Sequence, residues 1–205
     1  MKSRNATLIP PARKSLRLRF HAATPARWKD LAALFGERGA CGGCWCMAWR
    51  LPAAEFQAGK GVKNRRSLKR LVESGEAPGI LAYDGRKAVG WCAVAPRPVY
   101  SFLTRSRVLK EVDELPVWSV SCLFVLKPYR RQGVSALLLR AAVRWAAGRG
   151  ATIVEGYPTV PYASNVSAAF LWTGTPSSFA SAGFEEVARR SRARPIMRAV
   201  VERFR

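Results

Sequence analysis

The sequence predicts a single α/β domain in which helices flank both faces of a mixed central β-sheet. Three observations carry that prediction. A ten-residue strand-favouring run, 117–126, leads through a glycine-bearing turn into an amphipathic helix that opens at Val134. Two further runs, 79–84 and 87–95, meet at Asp84-Gly85, a favoured hairpin turn. The chain has 205 residues, nearly half of them apolar, which suits one domain with a sizeable core.

The elements follow in order. Residues 15–20 alternate apolar and polar side chains, the period of a half-buried strand. Thr24 supplies an N-cap and Pro25 a first helical residue, opening a helix to about Arg38. A second helix precedes the hairpin. After the run 117–126, Val134, Leu137, Leu138, Ala141, Ala142 and Trp145 make one apolar stripe. Arg140 and Arg144 take the opposite face, and Gly148 and Gly150 end the helix. Residues 151–155 read as a strand, and Ala182-Gly183-Phe184 as a turn before the last strands. The predicted order is strand, helix, helix, three strands, helix, strand, helix, strand. The domain spans 15–205, and residues 1–14 read as a basic leader without ordered structure.

The turn after residue 126 is the most specific signal. A strand that feeds a glycine-bearing turn at a helix start points free N–H groups outward, and the helix dipole favours an anion there. Gly133 lets the backbone approach that anion without a Cβ in the way. The nucleoside-triphosphate loop needs a Gly-Lys-Ser/Thr ending, which does not occur, and the dinucleotide fingerprint needs three spaced glycines where this turn has one. With its Pro128-Tyr129 lead-in, the turn resembles the cofactor motif of the GNAT superfamily of N-acetyltransferases, Gln/Arg-x-x-Gly-x-Gly/Ala. Arg130, Gly133 and Ser135 occupy the three defined positions, with Ser135 in place of the usual Gly or Ala. Gly183-Phe184 resembles the family's Gly-Phe turn, and the block from Cys41 to Arg50 resembles one from a bacterial subgroup of the superfamily.

The resemblance implies acetyl transfer from acetyl-CoA to an amine acceptor, a small molecule or a protein, in a ternary complex. The backbone of Leu123, Phe124 and Val125 would pair with the pantetheine arm and supply an oxyanion donor. Arg130, Arg131, Gln132, Gly133, Val134 and Ser135 would hold the pyrophosphate. Many members place a tyrosine four residues before the Gly of the Gly-Phe turn to protonate the leaving thiolate; here that residue is Phe179. Tyr157, Tyr162 or solvent then remain as proton donors. Glu155 ends its strand at the mouth where such sheets bind ligands, so it is a candidate base, weighed evenly against a surface carboxylate. Glu111, Asp113 and Glu114 read as a solvated loop.

Composition adds a second theme. Thirty-five Lys and Arg against thirteen Asp and Glu give +22, with clusters at 60–70 and 189–205. Such excess suits an anionic partner through counterion release. A CoA-binding module that associates with nucleic acid or ribosomes is therefore the alternative, less favoured because charge runs are usually solvated faces. Five cysteines and no apolar leader suggest reduced thiols in the cytoplasm. Cys41-x-x-Cys44-x-Cys46 resembles the start of a zinc site but lacks a fourth ligand, the sole histidine being His21, so no metal is expected. Trp45, Met47 and Trp49 are either core or walls of an acceptor pocket. No apolar run is long enough to span a membrane, and a homodimer is left open.

Overall fold

Among the described residues seven strands pair into one sheet: β1 (Leu18–Ala22), β2 (Gly79–Asp84), β3 (Lys87–Pro96), β4 (Trp118–Val125), β5 (Ile153–Gly156), β6 (Glu185–Arg189) and β7 (Pro195–Val200). Their order across the sheet is β1-β2-β3-β4-β5-β7-β6. Only the central β4–β5 pair is parallel. The computed structural model describes residues 16–163 and 165–204, so the leader 1–14 and Ser15 lie outside it.

The helices are α1 (Trp28–Phe35), α2 (Ala53–Ala58), α3 (Val62–Glu73), α4 (Ser101–Arg105), α5 (Val134–Ala147) and α6 (Pro176–Ala180). Strand alternation divides the core between the two faces of the sheet. Ile80, Ala82, Val89 and Val94 meet α5 and α6 on one side, while Leu81, Tyr83, Trp91 and Ala93 meet α1 and α3 on the other. The mixed sheet, covered on both faces, is the predicted architecture.

Several details depart from the sequence reading. The first strand starts two residues into the described chain, at Leu18, and the last strand is a pair, β6 and β7, antiparallel to each other. Thr24 makes no side-chain cap; Pro25–Arg27 form a 3-10 turn first, and the helix ends at Phe35 because Gly36 takes φ +63°. The buried stripe of α5 adds Leu139, Val143 and Ala146, because the helix packs across several strands at once. Leu137 and Trp145 are only half-buried. Trp145 packs edge-on to Trp118 and lies under the Arg149 guanidinium.

One irregularity positions the site. The β3–β4 register steps from Ala93↔Cys122 to Val94↔Val120, leaving Ser121 as an extra residue, a β-bulge. Ser121 and Cys122 consequently face the same side. The β4–β5 ladder covers only Trp118–Val120 against Val154–Gly156. Beyond it the ring of Phe179, fully buried, fills the space between the parting strands. A Cβ on Gly156 would lie 1.9 Å from that ring and one on Gly174 2.8 Å from it. The ring leaves no room for a side chain at either position, and Gly174 also takes φ +83°.

Gly156→Ala is expected to lower stability by about 1–3 kcal/mol through overpacking, each kcal/mol lowering the melting midpoint by about 2–4 °C for a chain of this size. Calorimetry checks this; an unchanged midpoint would show that the Phe179 wedge yields freely.

Candidate active site

At the end of β4 the backbone curls into a nest. Arg131 at φ +58° and Gly133 at φ +77° both take left-handed conformations just before α5 begins. Such a turn gathers successive N–H groups on one side, and no side chain caps the first turn of the helix. Holding a non-glycine residue such as Arg131 there costs on the order of 1–3 kcal/mol, a strain typical of ligand clamps. A Cβ on Gly133 would meet nothing within 4 Å, so its φ and the open space above it are the constraints. Arg130 Nε donates to the Val125 carbonyl at 2.8 Å, tying the turn to β4. Gln132 Nε2 donates to the Pro128 carbonyl at 2.6 Å, so its side chain braces the turn. A cleft of about 260 Å³ separates the turn from α6, with Arg130, Arg131, Gly133, Ser135, Ser177 and Ser178 on its walls. Free amides, two guanidinium groups and hydroxyls without a carboxylate fit a pyrophosphate.

A second cavity, about 220 Å³, opens on the other side of β4. Its outer wall is the segment from Ala40 to Trp49, a chain of tight turns in which Ala40, Trp45 and Cys46 have positive φ. Gly39 leaves room for the Trp45 ring: a Cβ would come within 2.3 Å of its Nε1. Asn64 of α3, buried, donates to the Gly43 and Phe56 carbonyls and pins the segment down. Trp45 and Met47 turn into the core, whereas Cys41, Cys44, Cys46 and Trp49 line the cavity. Phe56 and Trp172 close the sides, and Ser121 to Phe124 form the floor. Among the described residues no Asp, Glu, Lys, Arg or His lines it. Burial pushes the Cys44 thiol up to about 11, and contact with Cys46 together with burial raises Cys122 well above the thiol range, so both stay protonated. All five cysteines are free. Among the described residues no group of His, Cys, Asp or Glu is arranged to hold a metal ion.

Consecutive residues of β4 border both cavities, Val125 the first and Leu123 and Phe124 the second. The Leu123 N–H, expected to face a pantetheine arm, donates to the Trp172 carbonyl at 2.6 Å.

The three acid–base candidates separate. Tyr162 stands on the surface, 83% exposed. Glu155 and Tyr157 are both buried and bonded to each other: the Tyr157 hydroxyl donates to Glu155 Oε1 at 2.5 Å. Glu155 was expected at an open strand mouth, and the structure corrects that. Its cross-strand neighbour on β7 is Arg198, whose Nε donates to Oε2 at 2.7 Å, while Arg97 Nη1 reaches Oε1 at 3.3 Å and the Tyr157 oxygen at 2.7 Å. Arg97 is itself buried, donating also to the carbonyls of Leu103 and Leu109. The supposedly solvated loop contributes too, as Asp113 accepts from Arg198 and Glu111 from Arg97. Burial, then the Glu155 charge, holds the Tyr157 hydroxyl well above its ordinary range.

The acetyltransferase (GNAT) family model matches residues 45–171, more than half of the chain. The chain belongs to the GNAT acetyltransferase family. Solved structures agree on the fold. A GNAT acetyltransferase of Streptococcus agalactiae is 12% identical with TM-score 0.53, over 89% of this chain and 95% of that one. The yncA protein of Salmonella typhimurium, solved with acetyl-CoA, is 12% identical with TM-score 0.52, over 90% and 94%. The PaiA N-acetyltransferase of Thermoplasma acidophilum, in complex with coenzyme A, is 13% identical with TM-score 0.50, over 89% and 98%. A comparison with curated proteins gives no match.

Acetyl-CoA is the acetyl donor of the GNAT family. In this GNAT chain the position that carries a tyrosine in many members is the buried wedge residue Phe179. Sequence reasoning missed Ser121, the hydroxyl side chain of the second cavity, and the cavity thiol Cys122. Only a bulge brings both onto one face, and no composition or period announces a bulge. It also missed Arg97 and Trp172, whose contacts join distant segments.

Two outcomes follow. Glu155→Gln removes the buried carboxylate that Arg97 and Arg198 share, leaving them only the exposed Glu111 and Asp113, and a loss of about 3–5 kcal/mol is expected for a broken buried pair; an unchanged denaturant midpoint would contradict this. Alkali should act through buried tyrosines. The folded state holds Tyr157 well above 10 and, by burial, Tyr100 up to about 12. Unfolded tyrosine ionises near pH 10. Above that pH the unfolded chain binds fewer protons, so the tyrosine contribution to stability is flat below about pH 10 and falls beyond it. Urea titrations at pH 8 to 12 measure the slope, and Tyr157→Phe should reduce it.

Proposed function

We propose that this GNAT protein is an N-acetyltransferase that moves the acetyl group of acetyl-CoA to an amine by direct attack within a ternary complex. The observation that carries this reading is that one strand, β4, borders both an anion cradle and a largely apolar cavity. Strand residues rise about 3.3 Å each, so Val125 and Leu123 stand roughly 7 Å apart. A donor whose pyrophosphate sits on the Arg131–Ser135 turn can therefore run along β4 and present its thioester to the second cavity.

Each group then has a task. The amides of Arg131 to Ser135 hold the pyrophosphate, with Arg130 and Arg131 as its charge partners. Leu123, Phe124 and Val125 offer backbone to the pantetheine arm. For this the segment around Trp172 gives up its bond to Leu123, freeing an N–H for the developing oxyanion. Glu155 and Tyr157, held by Arg97 and Arg198, keep β5 and β7 in register below the site. Tyr157 is committed to Glu155 and Tyr162 is distant in exposure, so the protic groups facing the acceptor are Ser121 and the neutral thiols. Five free thiols suit a reducing compartment, the cytoplasm. A non-catalytic nucleic-acid-binding module has the +22 charge behind it, but leaves the cavity beside β4 without a role.

The test combines binding and turnover. At a concentration 100 times its Kd, acetyl-CoA should stabilise the native protein by about 2.7 kcal/mol, read as a thermal shift. Gly133→Asp puts a negative charge into the cradle and should remove the shift, while the positive φ costs the unliganded variant on the order of 1–3 kcal/mol. Thiol release should require added amine and rise with pH as the ammonium deprotonates. Undiminished binding in a folded Gly133→Asp variant, or thiol release indifferent to amine, would defeat the reading.

A further inference from the structure

The cavity beside β4 is built for one kind of acceptor. Its walls are Trp49, Phe56, Phe124 and Trp172, with thiols and alanines between them, and its polar side chain is the Ser121 hydroxyl. At about 220 Å³ it exceeds the roughly 150 Å³ cavity that holds a benzene ring in an engineered protein. One aromatic ring with a short tether fills it. Among the described residues no carboxylate lines it, so a second ammonium on the acceptor would be desolvated without a counter-charge.

The surroundings reinforce this. The charges seated on the aromatic walls are positive: Lys60 Nζ lies 5.6 Å from the Phe56 ring centroid and the Arg194 guanidinium 5.9 Å from that of Trp49. Arg194 bonds only the Thr159 and Thr173 hydroxyls and has no acidic partner among the described residues. Beyond them stands a molecule of net charge +22, whose field opposes the approach of any polycation.

We infer that the acceptor is a compact primary arylalkylamine with no second positive charge, and that polyamines and aminoglycosides are excluded. The inference rests on the acetyl-transfer reading of this site. The apolar walls have a chemical use as well, because desolvation disfavours the ammonium and delivers the neutral amine that attack requires. The amine nitrogen then bonds the acetyl carbon, the C–S bond breaks, and the proton lost by nitrogen ends on the departing sulfur.

The experiment uses the full chain with acetyl-CoA and two amines, 2-phenylethylamine and 1,4-diaminobutane, at equal free-base concentration. Thiol release should favour the arylalkylamine in kcat/KM by at least about 100-fold, the scale on which apolar pockets sort uncharged analogues and which a desolvated, unpaired charge should exceed. Thermal shift of the CoA-bound protein, independent of turnover, should respond to the arylalkylamine and not to the diamine. Cys41→Asp places a carboxylate at the exposed rim of the cavity and should raise the diamine by about tenfold relative to the arylalkylamine. Equal or better turnover of the diamine by the unaltered protein overturns the acceptor assignment and leaves acetyl transfer standing. Failure of every amine to release thiol overturns acetyl transfer itself, and equal thermal shifts from the two amines overturn the cavity's selectivity whether or not turnover is seen.

Discussion

Everything at the site depends on the parting of β4 and β5 beyond Val120. Two parallel strands that stayed paired would satisfy each other's backbone and leave no edge for a ligand. Here the bulge at Ser121 turns β4 and the Phe179 ring keeps β5 away. The exposed edge then has backbone groups to place. In this structure the Trp172 carbonyl takes the Leu123 N–H, so the edge is satisfied by the chain's own loop until something else competes for it. Packing accommodates that arrangement through glycine at the two points, 156 and 174, where the aromatic wedge comes closest.

Electrostatics divides the molecule into two regions. Beneath the site, four charged groups and a tyrosine form one connected set: Arg97, Glu155, Tyr157 and Arg198, with Asp113 at its edge. Each buried charge there meets an opposite one, which is the condition for burying it at all. Above β4 the reverse holds, with an uncharged cavity on one side and amides, hydroxyls and guanidinium groups on the other. A negative donor and a neutral, apolar acceptor would thus be sorted to opposite ends of a single strand segment before any chemistry begins.

The segment from Ala40 to Trp49 shows how local strain can serve a site. Left-handed backbone at Ala40, Trp45 and Cys46 is costly, and the Asn64 amide, the Gly39 contact with Trp45 and the burial of Trp45 and Met47 hold it in place. The result is a rigid wall carrying three thiols and an indole toward the cavity. Packing alone would be met by an ordinary helical turn.

By itself the sequence determined what local rules govern. The hairpin 79–96 follows from its Asp-Gly turn, α5 from its apolar period and closing glycine, and the anion cradle from a strand, a left-handed glycine and a helix start, all contiguous in the chain. Those signals also fixed the family. Tertiary structure decided the rest. Glu155 reads from the sequence equally as a strand-end base or a surface carboxylate, and its burial between Arg97 and Arg198, 58 residues before it and 43 after it, is written only in the tertiary structure. Trp49 and Trp45 were indistinguishable until one faced a cavity and the other the core. Ser121 gained its place from a register shift against β3. Each of these depends on contacts between distant segments, and a one-dimensional pattern of residues holds no record of which segments will meet.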